Sequence, residues 1–299
     1  MSSPRLRIAR LLSGFLVVAL LPCLPCAGAA NSDNPDSLRV YKTAGDLQLF
    51  LHLFEPVPAI DGERPCVVLI HSGGWVGNSP KSYYRIARSL RDMGIVVACL
   101  QYRLAKPPVT VRDAVDDTHD AMRYLRTHAA ELRIDPARIV ACGGSAGGHL
   151  AAGLALFPDA TNAPVPPPAA LILFNPVIDT SPAGYGNKKL GANWRELSPL
   201  HQVRPGVPPA LLFHGTADRT TPFAGAAAFH RAMLENGNEC EFHPHEGGDH
   251  GYYRKQPLYD ETMEIIRRFC VERGLLSIPH SEIRTPALRI PPNELLDLD

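Results

Sequence analysis

The hydrophobic positions of this chain follow two alternating patterns. In one pattern nearly every residue is apolar, and such runs occur at 66–70, 95–100, 139–142, 170–174 and 210–213. Runs of this kind are typical of strands in a parallel sheet that helices cover on both faces. An earlier segment, 47–53, begins with alternating apolar and polar residues and predicts a half-exposed antiparallel edge strand.

The second pattern has helical periodicity and falls between the apolar runs. In 111–130 the apolar residues form one stripe along a helix. Further helices are predicted at 83–90, 146–156, 223–236 and 259–269. Because strands and helices alternate, the chain predicts an α/β fold, with a mostly parallel sheet of about eight strands and helices on both faces. Residues 31–38 are predicted to be a polar leader.

Three segments depart from this alternation. Residues 158–168 are rich in proline and predict a loop, and the tail 275–299 carries several prolines and no assigned chemistry. Residues 181–205 contain Tyr185 and Trp194 and connect two predicted strands. Ligands bind at the carboxyl ends of strands in such folds, so we interpret 181–205 as a small lid or pocket wall. An ordinary connecting loop is the alternative.

Length and charge limit the class of protein. The chain has 299 residues, of which 45% are hydrophobic, enough for one large core. Its formal net charge is zero, and residues after position 30 carry 27 basic and 30 acidic side chains. We therefore expect no nucleic-acid partner, because such a partner requires a basic patch. No cofactor is predicted, and the oligomeric state is left open.

Residues 1–30 resemble a secretory signal. Three arginines precede an apolar stretch at 11–21, and Ala27-Gly28-Ala29 is a small-residue cleavage site. An uncleaved membrane anchor is the alternative, but the stretch is short for a span and prolines follow it. Lipidation at Cys23 is a second alternative. We predict a hydrolase domain at 31–274, a secreted or periplasmic location, and no integral membrane span after cleavage.

Five cysteines follow the predicted signal. They are Cys66, Cys99, Cys142, Cys240 and Cys270. Most lie in strand-like runs, so we interpret them as small buried apolar residues. One disulfide is the alternative, since an oxidising compartment permits it. No C-x-x-C metal spacing follows the signal, and no metal site is predicted.

The strongest chemical signal is Gly143-Gly144-Ser145-Ala146-Gly147. It follows an apolar run and opens an apolar helix pattern, as a nucleophile turn does. Downstream, Asp218 follows one strand-like run, and His250 stands among glycines after another. This order of serine, acid and histidine is the order in α/β-hydrolases. Upstream, His71-Ser72-Gly73-Gly74-Trp75 also follows a strand-like run.

These four motifs resemble those of α/β-hydrolase esterases related to hormone-sensitive lipase, most closely the bacterial acetyl- and feruloyl-esterase-like branch. The resemblance covers about 47–270. It implies that Gly73 and Gly74 line an oxyanion hole, although Ser72 occupies the second position of the family's H-G-G-G pattern.

The residues suggest a division of roles. We expect Ser145 to be the nucleophile, His250 its base, and Asp218 the group that orients the histidine. The amides of Gly73, Gly74 and Ala146 are the predicted oxyanion donors.

Asp249 and Asp179 are alternative candidates for the acid that orients His250. Asp116, Asp117 and Asp120 are interpreted as solvated or capping charges, and His71 and His214 as structural. A metal site at His243 and His245 is disfavoured, since Pro244 interrupts the segment and the site would consume His250.

The sequence therefore predicts a secreted serine carboxylic ester hydrolase acting on small acyl esters of acetyl or feruloyl type, with acylated polysaccharide as one candidate substrate. Trp75, Tyr185 and Trp194 are the predicted substrate-pocket residues. A serine peptidase of the same fold is one alternative, and a non-catalytic carbohydrate- or protein-binding member is the other.

Overall fold

A single eight-stranded sheet forms the centre of the protein. The computed structural model describes residues 33–57, 62–159, 161 and 164–276. The strands are β1 Ser37–Ala44, β2 Leu47–Phe54, β3 Arg64–Ile70, β4 Val96–Leu100, β5 Ile134–Gly144, β6 Ala170–Phe174, β7 Ala210–Gly215 and β8 Cys240–His245. Their order across the sheet is β1-β2-β4-β3-β5-β6-β7-β8. β2 pairs antiparallel with both β1 and β4, whereas all pairs from β4 to β8 are parallel.

Helices cover both faces of this sheet. They are α1 Tyr84–Asp92, α2 Val111–Thr127, α3 Ala146–Leu156, α4 Asn187–Leu190, α5 Phe223–Glu235 and α6 Leu258–Glu272. Apolar residues of α2, α3 and α5 share one buried cluster with alternate strand residues such as Val68. Residues of α1 and α6 pack with the opposite strand face, for example with Leu69. The predicted α/β-hydrolase fold is confirmed, including the number of strands and the two helical layers.

The first strand is missing from the sequence prediction. Residues 31–38 were expected to be a polar leader and 47–53 the edge strand, but β1 begins at Ser37 and β2 lies second in the sheet. Leu38 and Val40 are exposed to 53% and 39%, so β1 has little of the buried apolar face by which strands are recognised. Its pairing with β2 shifts register between Val40 and Lys42.

A buried ionic cluster connects β1 to α2. Asp117 was expected to be a solvated or capping charge, but its side chain has no exposed surface. Its carboxylate accepts hydrogen bonds from the Arg103 guanidinium at 2.8–3.1 Å and from Lys42 Nζ at 2.6 Å. Pairing allows a charge to be buried at this depth. Asp113 forms the cap instead, through a capping box with Thr110.

Some predictions fall outside the described residues. The predicted signal at 1–30 and nearly all of the tail at 275–299 lie there, and the domain boundaries stay predictions. In the part of the chain that is described, no helix is long and apolar enough to span a bilayer.

The five cysteines that follow the predicted signal are all buried and have free thiols. Burial raises the pKa of Cys66, Cys240 and Cys270 to about 12, so these thiols stay protonated.

Candidate active site

Ser145 occupies a tight turn between β5 and α3. Its backbone has φ 55° and ψ −123°, a conformation that non-glycine residues rarely adopt and that is common at functional sites. A Cβ atom at Gly143 would lie 2.4 Å from the Gly147 carbonyl oxygen, and one at Gly147 would lie 2.1 Å from the Ile70 carbonyl oxygen. The two glycines are therefore required by close backbone packing. The Ser145 amide donates to the Phe174 carbonyl at 2.9 Å, which anchors the turn to the end of β6.

Asp218 and His250 form a direct hydrogen-bonded pair. His250 Nδ1 lies 2.7 Å from Asp218 Oδ2, and because an ionised carboxylate only accepts, the ring nitrogen is the donor. Of the candidate acids, Asp249 instead binds exposed Lys255 at 2.6 Å, and Asp179 binds the amide and hydroxyl of Ser181. The structure therefore brings His250 together with the acid predicted for it.

Two residues that the sequence analysis missed complete the surroundings of Asp218. Asn175 Nδ2 donates to Asp218 Oδ2 at 3.0 Å, and Thr221 Oγ1 donates to the same oxygen at 2.9 Å. The amides of Thr220 and Thr221 donate to Oδ1. Burial alone raises the pKa of Asp218, but the hydrogen bonds from His250 and the Thr221 amide outweigh it and hold the pKa well below its usual range. Asp218 is thus ionised whenever the protein is folded near neutral pH.

The Ser145 turn and the His250 loop converge through an aromatic residue. A Cβ atom at Gly144 would lie 2.9 Å from the hydroxyl of Tyr253, which is three residues beyond His250. Tyr253 also stacks on Phe174, with ring centroids 4.6 Å apart. The Ser145 hydroxyl makes no hydrogen bond to another described residue, and Ser145 is 8% exposed. The hydroxyl is therefore unengaged at the carboxyl edge of the sheet.

The loop after β3 contains the two glycines predicted to bind an oxyanion. Gly73 and Gly74 have φ values of 126° and 59°, and a Cβ atom at Gly73 would lie 2.1 Å from the Gly77 carbonyl oxygen. The amides of Val76 and Gly77 both donate to the Gly73 carbonyl at 3.1 Å. Within the described residues the amides of Gly73 and Gly74 have no acceptor. Ala146 opens α3, so its amide is among those that helix geometry leaves unpaired.

Three further histidines have structural contacts. His71 stacks on Tyr102 at 4.2 Å, and its Nδ1 donates to the Ser72 carbonyl at 2.8 Å. His214 Nε2 donates to the Thr221 carbonyl at 2.8 Å. His149, which the sequence analysis missed, donates from Nε2 to the Leu197 carbonyl at 2.7 Å and accepts at Nδ1 from Trp75 Nε1 at 3.3 Å. Burial lowers the pKa of His71 and of His149 to about 4.

The predicted substrate-pocket residues differ in their placement. The prediction for Trp75 requires correction, because its side chain is fully buried and its Nε1 donates to His149. Tyr185 remains half-buried, and the Cβ position of Gly74 lies 2.7 Å from its hydroxyl. Lys189 of α4 donates to the Gly74 carbonyl at 3.1 Å. Trp194 packs edge-on against His201 at 5.1 Å. Tyr185 is the one of these three that lines the cavity described next.

A cavity of about 140 Å³ lies next to Thr221, one of the residues that donate to the Asp218 carboxylate. Its walls come from the segment after β6, from 183–185 and Leu200 of the lid-like segment, and from the start of α5. Apolar side chains such as Val177, Ile178 and Ala228 dominate this lining. Thr221, which donates to Asp218, forms part of the wall. The cavity therefore reaches the surroundings of Asp218 through Thr221 and offers a small, mostly apolar space.

The two histidines considered for a metal site have other contacts. His243 Nε2 pairs with Glu241 at 2.7 Å, whereas the His245 ring stacks on Tyr252. Among the residues that the structure describes, no three histidine, cysteine, aspartate or glutamate side chains are grouped as a metal site requires.

Comparison with known proteins identifies the family. The model of the family Abhydrolase_3, described as alpha/beta hydrolase fold, matches residues 67–254. The chain belongs to this α/β-hydrolase family. The match extends from β3 to just beyond His250, so it contains every residue of the candidate site.

Solved structures of one esterase are similar to this chain. Esterase 2 of Thermogutta terrifontis, phosphoramylated by tabun, is 37% identical with a TM-score of 0.75, over 81% of this chain and 96% of that chain. A butyrate-bound structure of that thermophilic esterase is 34% identical with a TM-score of 0.76, over 84% and 98%. A probable isoprenylcysteine alpha-carbonyl methylesterase of Oryza sativa subsp. japonica is 28% identical over 69% of this chain. The chain spans only 56% of that rice protein.

The buried His149 ring predicts a pH dependence of stability. In the folded protein it stays neutral down to about pH 4, whereas an imidazole in the unfolded chain takes up a proton below about pH 6.5. The unfolded chain therefore binds more protons in this window, and the free energy of unfolding falls as pH decreases from about 6.5 to 4. A shift of this size corresponds to a contribution on the order of 3 kcal/mol.

We expect His149→Gln, which retains one donor and one acceptor, to lose less stability across this range than the wild type. Urea unfolding followed by circular dichroism between pH 4 and 7 measures the difference. Equal losses in the two proteins would show that His149 does not carry this dependence.

Proposed function

We propose that the protein is a serine carboxylic ester hydrolase, with Ser145 as nucleophile, His250 as base and Asp218 as the orienting acid. The observation that carries this proposal is the 2.7 Å hydrogen bond from His250 to a buried carboxylate. It is supported by a serine in a strained strand-to-helix turn, which meets the segment after His250 where Gly144 packs against Tyr253. Membership of the α/β-hydrolase family and the esterase relatives support it.

The proposed reaction has two acyl transfers. Ser145 Oγ attacks the ester carbonyl carbon while His250 Nε2 takes its proton, and the negative charge moves to the carbonyl oxygen. The amides of Gly73, Gly74 and Ala146 donate to that oxygen. When the carbon–oxygen bond to the alcohol breaks, His250 returns the proton to the leaving oxygen. Water then attacks the acyl-enzyme in the same way, releasing the acid and restoring Ser145.

The ionised state of Asp218 supports the role of His250. Its pKa is held well below the usual range, so the carboxylate is available to stabilise a protonated imidazole during the reaction. The donors on Oδ1 and the amide of Asn175 fix the position of the carboxylate without competing for the reactive ring nitrogen. Because His250 donates from Nδ1, its other nitrogen is left free to accept a proton.

We further propose that the acyl group is short. The cavity next to Thr221 encloses about 140 Å³, well below the roughly 300–1,000 Å³ of pockets for drug-sized ligands. Its apolar lining suits a hydrocarbon chain of a few carbons, and a butyrate-bound structure exists for a related esterase. Acetyl to butyryl esters are therefore the proposed substrates, and hydrolysis of feruloyl esters is an outcome for the substrate panel to decide.

Ser145→Ala is expected to reduce hydrolysis of p-nitrophenyl acetate by on the order of 10⁴-fold or more, because the nucleophile is removed. Asp218→Asn should lower kcat by about 10³- to 10⁴-fold, since the buried charge that holds His250 is lost. Asp249→Asn is the matched control. It changes the residue beside His250, and its activity should stay within about threefold of wild type.

Wild-type turnover in folded Ser145→Ala would reject the proposed nucleophile. A larger loss in Asp249→Asn than in Asp218→Asn would reject Asp218 as the orienting acid.

The cavity predicts a length limit on the acyl chain. In a p-nitrophenyl ester panel, kcat/KM should decrease beyond butyrate. Ala228→Leu fills part of the lining and should lower kcat/KM for butyrate about tenfold or more, with acetate affected less than threefold. Ala227→Leu, one residue earlier on α5 and outside the lining, is the control. Equal effects on acetate and butyrate, or equal effects of the two variants, would exclude this cavity as the acyl site.

We also propose that the enzyme is exported, on the pattern of residues 1–30. Protein expressed from the full-length gene in a bacterial host should be recovered from the periplasm or medium. Intact-mass measurement should then place its first residue at Ala30 or Asn31. An intact Met1 in membrane-bound material would favour the anchor instead.

A further inference from the structure

We propose that Ser72 is a positioning residue that fastens the oxyanion loop to the nucleophile strand through a one-way chain of hydrogen bonds ending at the Gly144 carbonyl. This inference rests on the proposed function, because it concerns how the same site is held in place. It assigns a role to the side chain that departs from the H-G-G-G pattern.

Four side chains form the chain. Arg254 Nε donates to the Tyr253 hydroxyl at 3.2 Å, and the Tyr253 and Tyr83 hydroxyls lie 3.3 Å apart. The Tyr83 hydroxyl lies 2.6 Å from Ser72 Oγ, which donates to the Gly144 carbonyl at 2.9 Å. Tyr83 and Tyr253 are buried, so water does not compete for these bonds.

The direction of every bond follows from the two ends. A guanidinium can only donate and a carbonyl oxygen can only accept. Ser72 uses its single hydrogen on Gly144, so Tyr83 must donate to Ser72. Tyr83 then has no hydrogen left, so Tyr253 must donate to Tyr83. Each hydroxyl therefore accepts one bond and donates one, an arrangement in which neighbouring bonds polarise and strengthen one another.

The chain joins three loops of the proposed site. Ser72 directly precedes Gly73, Gly144 directly precedes Ser145, and Tyr253 follows His250 by three residues. The Ser72 link therefore fixes where the Gly73 amide lies relative to the Ser145 hydroxyl. Such positioning matters because a shift of about 1 Å in a reacting group can cost up to about 100-fold in rate.

Close packing around Gly144 leaves the Tyr83 hydroxyl little space for any other position. A Cβ atom at Gly144 would lie 2.2 Å from the Tyr83 hydroxyl, so residue 144 must be glycine for this tyrosine to reach Ser72. Removing the Ser72 hydroxyl would leave both the Tyr83 hydroxyl and the Gly144 carbonyl without this partner. The loop would keep its backbone turn but lose its attachment to β5.

The test compares Ser72→Ala, Tyr83→Phe and the double variant in p-nitrophenyl acetate hydrolysis. Each single variant should lower kcat about tenfold with KM within about twofold, because losing a whole oxyanion donor costs about 10²- to 10³-fold and a displaced donor less. Since both changes break the same link, the double variant should lose little more than either single variant. Ser72→Thr, which keeps the hydroxyl, should recover most of the activity.

Controls separate positioning from folding and from the proposed function. Ser82→Ala removes an exposed hydroxyl that bonds only to the Ser79 carbonyl, in the turn that contains Tyr83, and should leave kcat unchanged. Thermal unfolding of each variant measures the folded fraction. If Ser72→Ala does not fold, Tyr83→Phe and Ser72→Thr still test the link.

Three results would overturn the inference: kcat within twofold of wild type in folded Ser72→Ala or Tyr83→Phe, multiplied losses in the double variant, or a loss explained by the folded fraction alone. Ser145→Ala is assayed in parallel. If it retains full activity, the proposed function fails. If it is inactive while Ser72→Ala and Tyr83→Phe are fully active, only the positioning role fails.

Discussion

Direct backbone packing between the turn at Ser145 and the end of β3 is the constraint on which the site depends. Gly147 lies so close to the Ile70 carbonyl that no side chain fits, and Gly143 meets Gly147 in the same way. This contact brings the loop after β3 beside the serine. The first turn of α3 and the amides after His71 therefore face the same space, and any bulkier residue at Gly143 or Gly147 would separate them.

The second requirement of the site is that its buried negative charge stays on the Asp218 carboxylate. Asp218 is ionised because donors from three segments surround it. Burial lowers the pKa of His214, which lies 3.5 Å from the Asp218 carboxylate, and also the pKa values of His71 and His149. Neutral rings can hold loops by hydrogen bonds without adding positive charge beside the Asp218–His250 pair. The negative charge of Asp218 is thus directed mainly to one imidazole.

The sequence predicted the fold, the turn at Ser145 and the pairing of His250 with Asp218, because strands and glycine-rich turns leave local signals. Five apolar runs and one alternating segment predicted six of the strands, and the glycines around Ser145 indicated a turn without space for Cβ atoms. Asn175 could not be predicted, because it reaches the Asp218 carboxylate from a separate loop 43 residues away, and Thr221 could not, because the hydrogen bond from its hydroxyl depends on how its own loop folds. Trp75 and Asp117 were misplaced for a related reason. The sequence alone does not show whether an aromatic or charged side chain is exposed or buried against a hydrogen-bonding partner.

The register shift in β1 affects whether two copies of the protein can pair through this outer strand. It lies where Lys42 turns inward to Asp117, so an otherwise regular outer strand is interrupted by an irregular backbone and an inward-pointing cation. Outer strands of this kind are poor templates for edge-to-edge growth of a sheet. The same ionic cluster that connects β1 to α2 therefore also protects the protein against self-assembly along this margin, despite the exposed Leu38 and Val40.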